Sequence, residues 1–264
     1  MAARSDGPFG VLLDIDGVLY VGDEPIAGAH EALAQLRAAS AGVRLVTNTT
    51  SRSRGEVTAH LRELGFPVPL EEVLTPAALA VGYCRERGYD VVTLIVSDGL
   101  REDLRELEGP AEGKVVQAVI LGDVGDAFDA PLLNRAFRLL MDGAELIALQ
   151  HNRYWRRADG LALDVGAYSA ALEYATGREA LVVGKPAPGF FAAALADLGL
   201  GRAIMVGDDV EADVGGAIDA GLPGVLVRTG KFREDALAAS GVEPTAIVDS
   251  IAEIPGLLGT LTGR

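Results

Sequence analysis

The sequence has very little cysteine and histidine. Its 264 residues include one cysteine, Cys84, and three scattered histidines, His30, His60 and His151. A single cysteine excludes a disulfide framework and any CxxC metal or redox site, and the histidine spacing excludes an HExxH zinc site. Any metal ion must therefore be held mainly by oxygen ligands.

Positive charge and long apolar runs are also scarce. Against 23 Lys and Arg stand 38 Asp and Glu, which gives a formal net charge of −15 and disfavours nonspecific binding to nucleic acid or to an anionic membrane. No apolar run approaches the roughly 18 residues that span a bilayer, and the first residues lack the apolar region of a signal peptide. We therefore expect a cytoplasmic protein with no nucleic-acid partner and no membrane partner.

What the sequence does contain is an alternation of short apolar runs and helix-start signals. The runs are continuous and rich in β-branched residues, as strands buried on both faces are. They cover residues 9–13, 43–46, 91–96, 115–121, 146–149, 180–183, 203–206 and 224–227. Helix-start signals between the runs include Pro25, the capping box from Ser53 to Glu56, Thr75, Asp129 and Pro188. This alternation predicts an α/β protein with parallel sheets.

Four of the predicted strand ends carry polar residues of related chemistry. They are Asp14 with Asp16, Thr47 with Asn48, Lys185, and Asp208 with Asp209 and Asp213. Each set alone has a plainer interpretation as a turn, a helix cap, a solvated lysine or a complement to a helix dipole. Ligands of parallel sheets bind beyond the carboxyl ends of the strands, so the coincidence of all four sets favours one functional site.

The combined chemistry of these residues is that of phosphoryl transfer on Mg²⁺. Magnesium prefers oxygen ligands, which the carboxylates of Asp14 and Asp208 and the carbonyl of Asp16 can supply. Two carboxylates at one strand end can also divide the work of a nucleophile and of a proton carrier. Donors for phosphate oxygens come from Thr47, Asn48 and Lys185.

With these motifs the chain resembles the haloacid dehalogenase superfamily of phosphatases. The matching segments are Asp14-x-Asp16-Gly-x-Leu19-Tyr20, Thr47-Asn48, Gly184-Lys185-Pro186 and Gly207-Asp208-Asp209-x-x-x-Asp213. The long insert between the second and third segments resembles subfamily IIA, whose NagD-like members carry a large α/β cap. Segments that follow Gly160 and Arg228 resemble the branch of phospholysine phosphohistidine inorganic pyrophosphate phosphatases, and the likeness extends over about residues 9–258.

The resemblance implies a fold and a set of residue roles. The fold is a Rossmann-like doubly wound parallel sheet core, residues 1–76 and 184–264, with an inserted α/β cap domain, residues 77–183. The cofactor is Mg²⁺. The implied roles are nucleophile and metal ligand for Asp14, general acid and base and carbonyl ligand for Asp16, metal ligand for Asp208, phosphate ligands for Thr47, Asn48 and Lys185, and support of the metal site for Asp209 and Asp213.

The implied substrate is a small phosphorylated metabolite with a phosphomonoester bond. Several animal members of the branch carry Ser where Asp16 stands, and the carboxylate kept here favours phosphomonoesters over their P–N and P–O–P substrates. Hydrolysis of phosphohistidine, phospholysine or inorganic pyrophosphate is the alternative.

Substrate selectivity is expected to come from the cap. The candidates are Asn152, Arg153 and Tyr154 in the segment 151–157 and Asp164 and Tyr168 in the segment 164–168. Their plainer interpretations are a solvated hairpin loop and the start of a half-buried helix. Aromatic residues beside arginines are also typical of subunit interfaces, which leaves open a homodimer formed through the cap.

Two other classes of protein stay open at this point. A phosphoacceptor signalling domain also places acidic residues, Thr and Lys around Mg²⁺, although such a domain lacks a long insert. A catalytically silent binding scaffold can use the same fold, although every catalytic side chain is in place here.

Overall fold

The computed structural model describes residues 7–108, 113–157 and 160–262. Its strands, in chain order, are β1 Gly10–Asp14, β2 Tyr20–Val21, β3 Glu24–Pro25, β4 Gly42–Val46, β5 Val73–Leu74, β6 Val92–Ile95, β7 Ala118–Leu121, β8 Glu145–Ala148, β9 Tyr154–Arg157, β10 Gly160–Leu163, β11 Leu181–Val182, β12 Ala203–Gly207, β13 Gly224–Val227 and β14 Ala246–Val248. Its α-helices are α1 Ala29–Ala39, α2 Arg54–Glu63, α3 Pro76–Arg87, α4 Ala130–Met141, α5 Val165–Thr176, α6 Pro188–Leu198, α7 Gly216–Asp219, α8 Glu234–Ser240 and α9 Ile254–Thr262.

The chain divides into two compact units. The first unit comprises Met1–Thr47, Val57–Leu74 and Lys185–Arg264, and the second comprises Asn48–Glu56 and Thr75–Gly184. Residues 48–56 belong to the core predicted from the sequence, whereas in the structure they group with the insert. The physical reason is a set of hydrogen bonds from this segment to residues of the insert, such as the one from the Arg54 N–H to Asp103.

A parallel six-stranded sheet organises the first unit. Its strand order is β14-β13-β12-β1-β4-β5, and every neighbouring pair is parallel. The chain proceeds outward from β1 through β4 to β5 and later returns to the other side of β1 with β12. The strand order therefore reverses between β1 and β12, which is where a doubly wound sheet opens a crevice for ligands.

Helices cover the sheet of the first unit on both faces. Val11 and Leu13 of β1 pack into one buried cluster with Leu33 and Leu36 of α1. Leu12 lies between them in the strand, so its side chain points to the opposite face of the sheet. It is fully buried, and α6 also contacts β1. Burial on both faces is what the continuous apolar run at the start of the chain predicts.

The second unit has its own parallel sheet, of order β11-β8-β7-β6, and an antiparallel hairpin of β9 and β10. Ile120 and Ile147 lie in a cluster with residues of α3, and Val119 and Leu146 lie in a second cluster with residues of α4 and α5. Both units thus confirm the predicted α/β class with parallel sheets.

The local start signals agree with the structure in part. Thr75 and Asp129 cap α3 and α4 with their side chains, as predicted. Two boundaries differ: β7 begins at Ala118 and leaves Val115 outside with 73% of its surface exposed, and α1 begins at Ala29 because Gly28 adopts a left-handed conformation. No helix among residues 7–108, 113–157 and 160–262 combines the length and the apolar character that crossing a bilayer requires.

Candidate active site

A buried lysine joins two aspartates at the centre of the first unit. Asp14 is the last residue of β1, and Lys185 follows shortly after β11 in the chain. The Lys185 Nζ donates hydrogen bonds to Oδ1 of Asp14 at 2.6 Å and to Oδ1 of Asp213 at 2.5 Å. Only 2% of Lys185 is exposed. The structure therefore excludes the solvated surface lysine that is the plainer interpretation of this residue.

Asp208 directly follows β12, the strand that pairs with β1. Its Oδ2 accepts a hydrogen bond from the backbone N–H of Lys231 at 2.7 Å. Gly17 and Gly230 flank this oxygen so closely that a Cβ on either glycine would overlap it. Both glycines have positive φ, of 81° and 64°. The two glycines thus leave room for the carboxylate to enter between two backbone segments.

Burial and mutual repulsion set the charge states of these groups. Burial raises the pKa of Asp14, and the carboxylate of Asp208 adds to this effect while Lys185 opposes it. The pKa of Asp208 is raised to about 6 by burial and by the charge of Asp213. Burial and the charge of Asp14 raise the pKa of Asp213 to about 7. Burial alone would lower the pKa of Lys185, but Asp14 and Asp213 outweigh it and raise that pKa.

The geometry of the cluster suits a small divalent cation. Among the described residues, Asp14, Asp208 and Asp213 offer carboxylate oxygens that lie within 4.8 Å of one another. Oδ1 of Asp208 is buried without a hydrogen-bond partner in the described structure. An orphaned buried carboxylate oxygen costs free energy unless a cation or a donor satisfies it. Since the set contains only oxygen atoms, it fits a hard ion such as Mg²⁺.

Asp213 and Asp209 hold the cluster together from the segment after β12. Asp209 accepts hydrogen bonds from the N–H groups of Glu211 and Ala212 at the start of the π-helical segment Val210–Gly215. Its own N–H donates to Oδ2 of Asp213 at 3.1 Å. Asp213 therefore accepts a hydrogen bond from Lys185 with Oδ1 and one from the Asp209 N–H with Oδ2. This arrangement places Asp213 to orient the lysine.

The remaining core candidates differ in their placement. The Asp16 side chain is exposed, two residues beyond the buried Asp14. Thr47 is buried and directly follows Val46, which pairs with Asp14 in the sheet. Asn48 is the first residue of the second unit, where its Oδ1 lies close to Gly184.

In the second unit the cap candidates fall into two groups. Asp164 is buried and caps α5, since its Oδ1 accepts from the Val165 N–H at 2.8 Å and from the Gln150 amide at 2.5 Å. The Tyr168 ring stacks on Phe128 with 3.6 Å between the ring centroids.

The other three cap candidates lie around the start of the hairpin. Asn152 is half-buried and its N–H donates to Oε1 of Gln150. Arg153 is exposed, and Tyr154 begins β9 with 57% of its surface exposed. The side chains from Trp155 to Arg157 lie outside the described part of the chain.

No site residue was predicted in the segment that follows β13, although part of the likeness to the phosphatase branch lies there. The Lys231 N–H holds Asp208, and the Thr229 hydroxyl donates to the Gly17 carbonyl at 2.5 Å. A signal was present, because Arg228-Thr-Gly-Lys-Phe232 follows a predicted strand in the same way as the four motifs. The contact that holds Asp208 is made by a backbone N–H, which residue types do not reveal.

Comparisons with known proteins extend over both units. Family models of haloacid dehalogenase-like hydrolases match residues 11–109 and 182–254. Phospholysine phosphohistidine inorganic pyrophosphate phosphatase of Bos taurus is 42% identical over 97% of this chain and 96% of its own length. A p-nitrophenyl phosphatase from Archaeoglobus fulgidus is 27% identical, with a TM-score of 0.86 over 95% of this chain and 99% of that chain. A glycerol phosphate phosphatase from Mycobacterium tuberculosis, solved in complex with magnesium, is 32% identical, with a TM-score of 0.79 over 92% of this chain and 76% of that chain.

Proposed function

Because the chain belongs to the haloacid dehalogenase-like hydrolase family, we propose that it is a Mg²⁺-dependent phosphatase that transfers the phosphoryl group of a small phosphomonoester first to Asp14 and then to water. The similar proteins from Archaeoglobus and Mycobacterium are phosphatases by name. The single observation that carries the proposal is the buried cluster in which Lys185 holds Asp14 beside Asp208.

The proposed metal ligands are the carboxylates of Asp14 and Asp208 and the backbone carbonyl of Asp16. The orphaned Oδ1 of Asp208 and the magnesium complex of the Mycobacterium protein support this assignment. When bound, Mg²⁺ supplies a positive charge that neutralises the phosphoryl oxygens. The Gly17 and Gly230 backbones keep Asp208 in place for this role.

In the proposed first half-reaction, a carboxylate oxygen of Asp14 attacks phosphorus in line with the ester oxygen. The new P–O bond forms as the ester P–O bond breaks, and Asp16 gives its proton to the departing alkoxide. Lys185 fixes the rotamer of Asp14 through its 2.6 Å hydrogen bond. Because the carboxylate is oriented before the substrate binds, orienting it adds little to the barrier of the attack.

In the second half-reaction, Asp16 takes a proton from a water molecule, which attacks phosphorus of the aspartyl phosphate. The bond between phosphorus and Asp14 breaks and inorganic phosphate leaves. The exposure of Asp16 suits a group that exchanges protons with leaving group and water in turn. Thr47, Asn48 and Lys185 are the proposed donors to the phosphoryl oxygens.

Selection of the substrate is assigned to the second unit. Asn152, Arg153 and Tyr154 are the proposed contacts with the leaving group. Asp164 and Tyr168 stay predicted for the same role, and their contacts with Gln150 and Phe128 support the segment that carries them. A cytoplasmic location and a homodimer formed through the cap stay predictions.

Hydrolysis of P–N or P–O–P bonds is the second candidate function. The observation that favours it is the 42% identity to the bovine phosphatase whose name lists phospholysine, phosphohistidine and pyrophosphate. The carboxylate of Asp16 favours phosphomonoesters, because an alkoxide leaving group needs a proton donor.

A panel assay separates these candidates. Purified protein with Mg²⁺ is offered sugar phosphates, glycerol phosphate, p-nitrophenyl phosphate, phosphohistidine, phospholysine and pyrophosphate, and the released phosphate is measured, with Asp14→Asn as control. The proposal requires the highest kcat/KM on a phosphomonoester and none in the control. A preference for P–N or pyrophosphate substrates supports the second candidate, and no turnover of any compound supports a silent scaffold.

A further inference from the structure

The segment Asn48–Glu56 connects the end of β4 to the first turn of α2. It begins with a proposed phosphate ligand, Asn48. At this end it lies close to Gly184 of the same unit, since a Cβ on Gly184 would come to 2.8 Å from the Oδ1 of Asn48 and would also overlap the Leu149 carbonyl. Glycine at position 184 thus allows Asn48 its close approach.

The other end of the segment carries a helix start that is only partly capped by local residues. Ser53 and Glu56 form a reciprocal capping box, with hydrogen bonds of 2.7 Å from the Ser53 N–H and 3.1 Å from the Glu56 N–H. The N–H of Arg54, the first residue of α2, has a different acceptor. It donates to Oδ2 of Asp103 at 2.7 Å, across 49 positions of sequence.

The turn that carries Asp103 lies directly against the segment. The Ser97 hydroxyl donates to the Ser51 carbonyl at 3.4 Å. A Cβ on Gly99 would come to 3.3 Å from the same carbonyl and to 3.4 Å from Oε2 of Glu56. Burial in this contact raises the pKa of Asp103, so this carboxylate is partly withdrawn from water.

We infer that Asp103 is a positioning residue for phosphate binding, because its carboxylate anchors the end of the segment that presents Asn48. The inference rests on the proposed function, in which Asn48 binds phosphate. A segment anchored at Asp103 has fewer conformations to lose when a ligand binds, whereas a segment released there must be ordered at a cost in binding free energy. The loss falls on substrate affinity and spares the attack by Asp14.

Four variants test this role. Asp103→Ala removes the acceptor, Asp103→Asn keeps an oxygen at the same place, and Arg54→Pro removes the donor at a helix position that accepts proline. Glu102→Ala, which removes an exposed carboxylate from the adjacent position, is the matched control. Two readouts are compared: amide hydrogen exchange of residues 48–56 during titration with inorganic phosphate and Mg²⁺, and kcat and KM for p-nitrophenyl phosphate.

We expect Asp103→Ala and Arg54→Pro to exchange faster in this segment. Both should need about five- to tenfold more phosphate for protection and show a similar rise in KM, as the loss of a helix cap implies, with kcat nearly unchanged. Asp103→Asn and Glu102→Ala should behave like the wild type.

Two results would overturn the inference. One is exchange at the wild-type rate in Asp103→Ala, which means that Asp103 does not hold the segment. The other is faster exchange with unchanged phosphate affinity and KM, which means that the contact is only structural. A wild type that hydrolyses no phosphomonoester refutes the proposed function instead, and the phosphate titration still decides the role of Asp103.

Discussion

At the scale of single residues, the site depends on one buried ammonium among several carboxylates. Lys185 pairs with Asp14 and Asp213, while Asp208 has the N–H of Lys231 for one oxygen and no partner in the described structure for the other. The carboxylates of the cluster therefore carry more negative charge than Lys185 neutralises. The raised pKa values of Asp208 and Asp213 follow first from burial and then from this excess of negative charge.

These pKa values predict how the stability of the metal-free protein depends on pH. In the unfolded chain both carboxyls release their protons near the ordinary value of 3.8, whereas in the folded protein they release them near pH 6 and pH 7. Between about pH 4 and pH 7 the folded state thus binds more protons, so the free energy of unfolding should fall as the pH rises through this window. The measurement is the melting temperature in EDTA from pH 4 to pH 8.

Asp213→Asn provides the comparison for this prediction. An amide at position 213 does not ionise, so the fall in melting temperature with pH should be smaller than in the wild type. Addition of Mg²⁺ above pH 7 should raise the melting temperature of the wild type, because the ion binds the folded state. Equal pH slopes for the two proteins would show that Asp213 does not hold a proton in this range.

At the scale of elements, the site forms where the strand order reverses between β1 and β12. The turn after β1 and the segment after β13 close around Asp208, where Gly17 and Gly230 approach each other closely. Gly17 and Gly22 both have positive φ, of 81° and 64°. Only Gly17 faces a carboxylate, since nothing lies within 4 Å of a Cβ built on Gly22.

This difference makes Gly17→Ala and Gly22→Ala a matched pair. Both substitutions should cost about 1–2 kcal/mol of stability, because alanine is strained at positive φ. Gly17→Ala should in addition displace Asp208 and raise the Mg²⁺ concentration for half-maximal activity by about tenfold or more, as the loss of support for a metal ligand does. Magnesium titration of the activity checks this, and equal Mg²⁺ requirements in both variants would contradict the close approach seen in the structure.

At the scale of the whole molecule, two units share the proposed work. The first unit carries the proposed nucleophile and the proposed metal ligands, and the second carries the proposed contacts with the leaving group. If Tyr154 contacts the leaving group, Tyr154→Ala should change the ranking of kcat/KM among substrates, by about tenfold for the most affected one, and leave the Mg²⁺ requirement unchanged.

The control for that prediction is a second exposed tyrosine of the same unit. Tyr174 in α5 is 93% exposed, and Tyr174→Ala should leave the ranking as it is. The panel of phosphorylated compounds measures both variants. An equal loss of activity on every substrate in Tyr154→Ala would indicate a defect in folding or assembly.

How much of this molecule the sequence predicts depends on the range of the interactions. Continuous apolar runs predict the parallel strands, and Ser53, Thr75 and Asp129 predict helix starts, because these signals act within a few residues. The anchoring of residues 48–56 to the insert was not predicted, since the hydrogen bond from Arg54 to Asp103 joins positions that no local pattern connects. The support of Asp208 by Lys231 was missed for a different reason, because a backbone N–H leaves no trace in the residue type.

The central claim is that the phosphoryl group passes through a covalent bond to Asp14. Rapid-quench kinetics of Asp16→Asn with p-nitrophenyl phosphate test it most directly, because this leaving group departs without a proton whereas hydrolysis of the intermediate needs a base. The account predicts a burst of about one equivalent of nitrophenol per site, followed by a stall, and a peptide that carries one phosphoryl group on Asp14 in the mass spectrum. Turnover without a burst, with Asp14 unmodified, would contradict it.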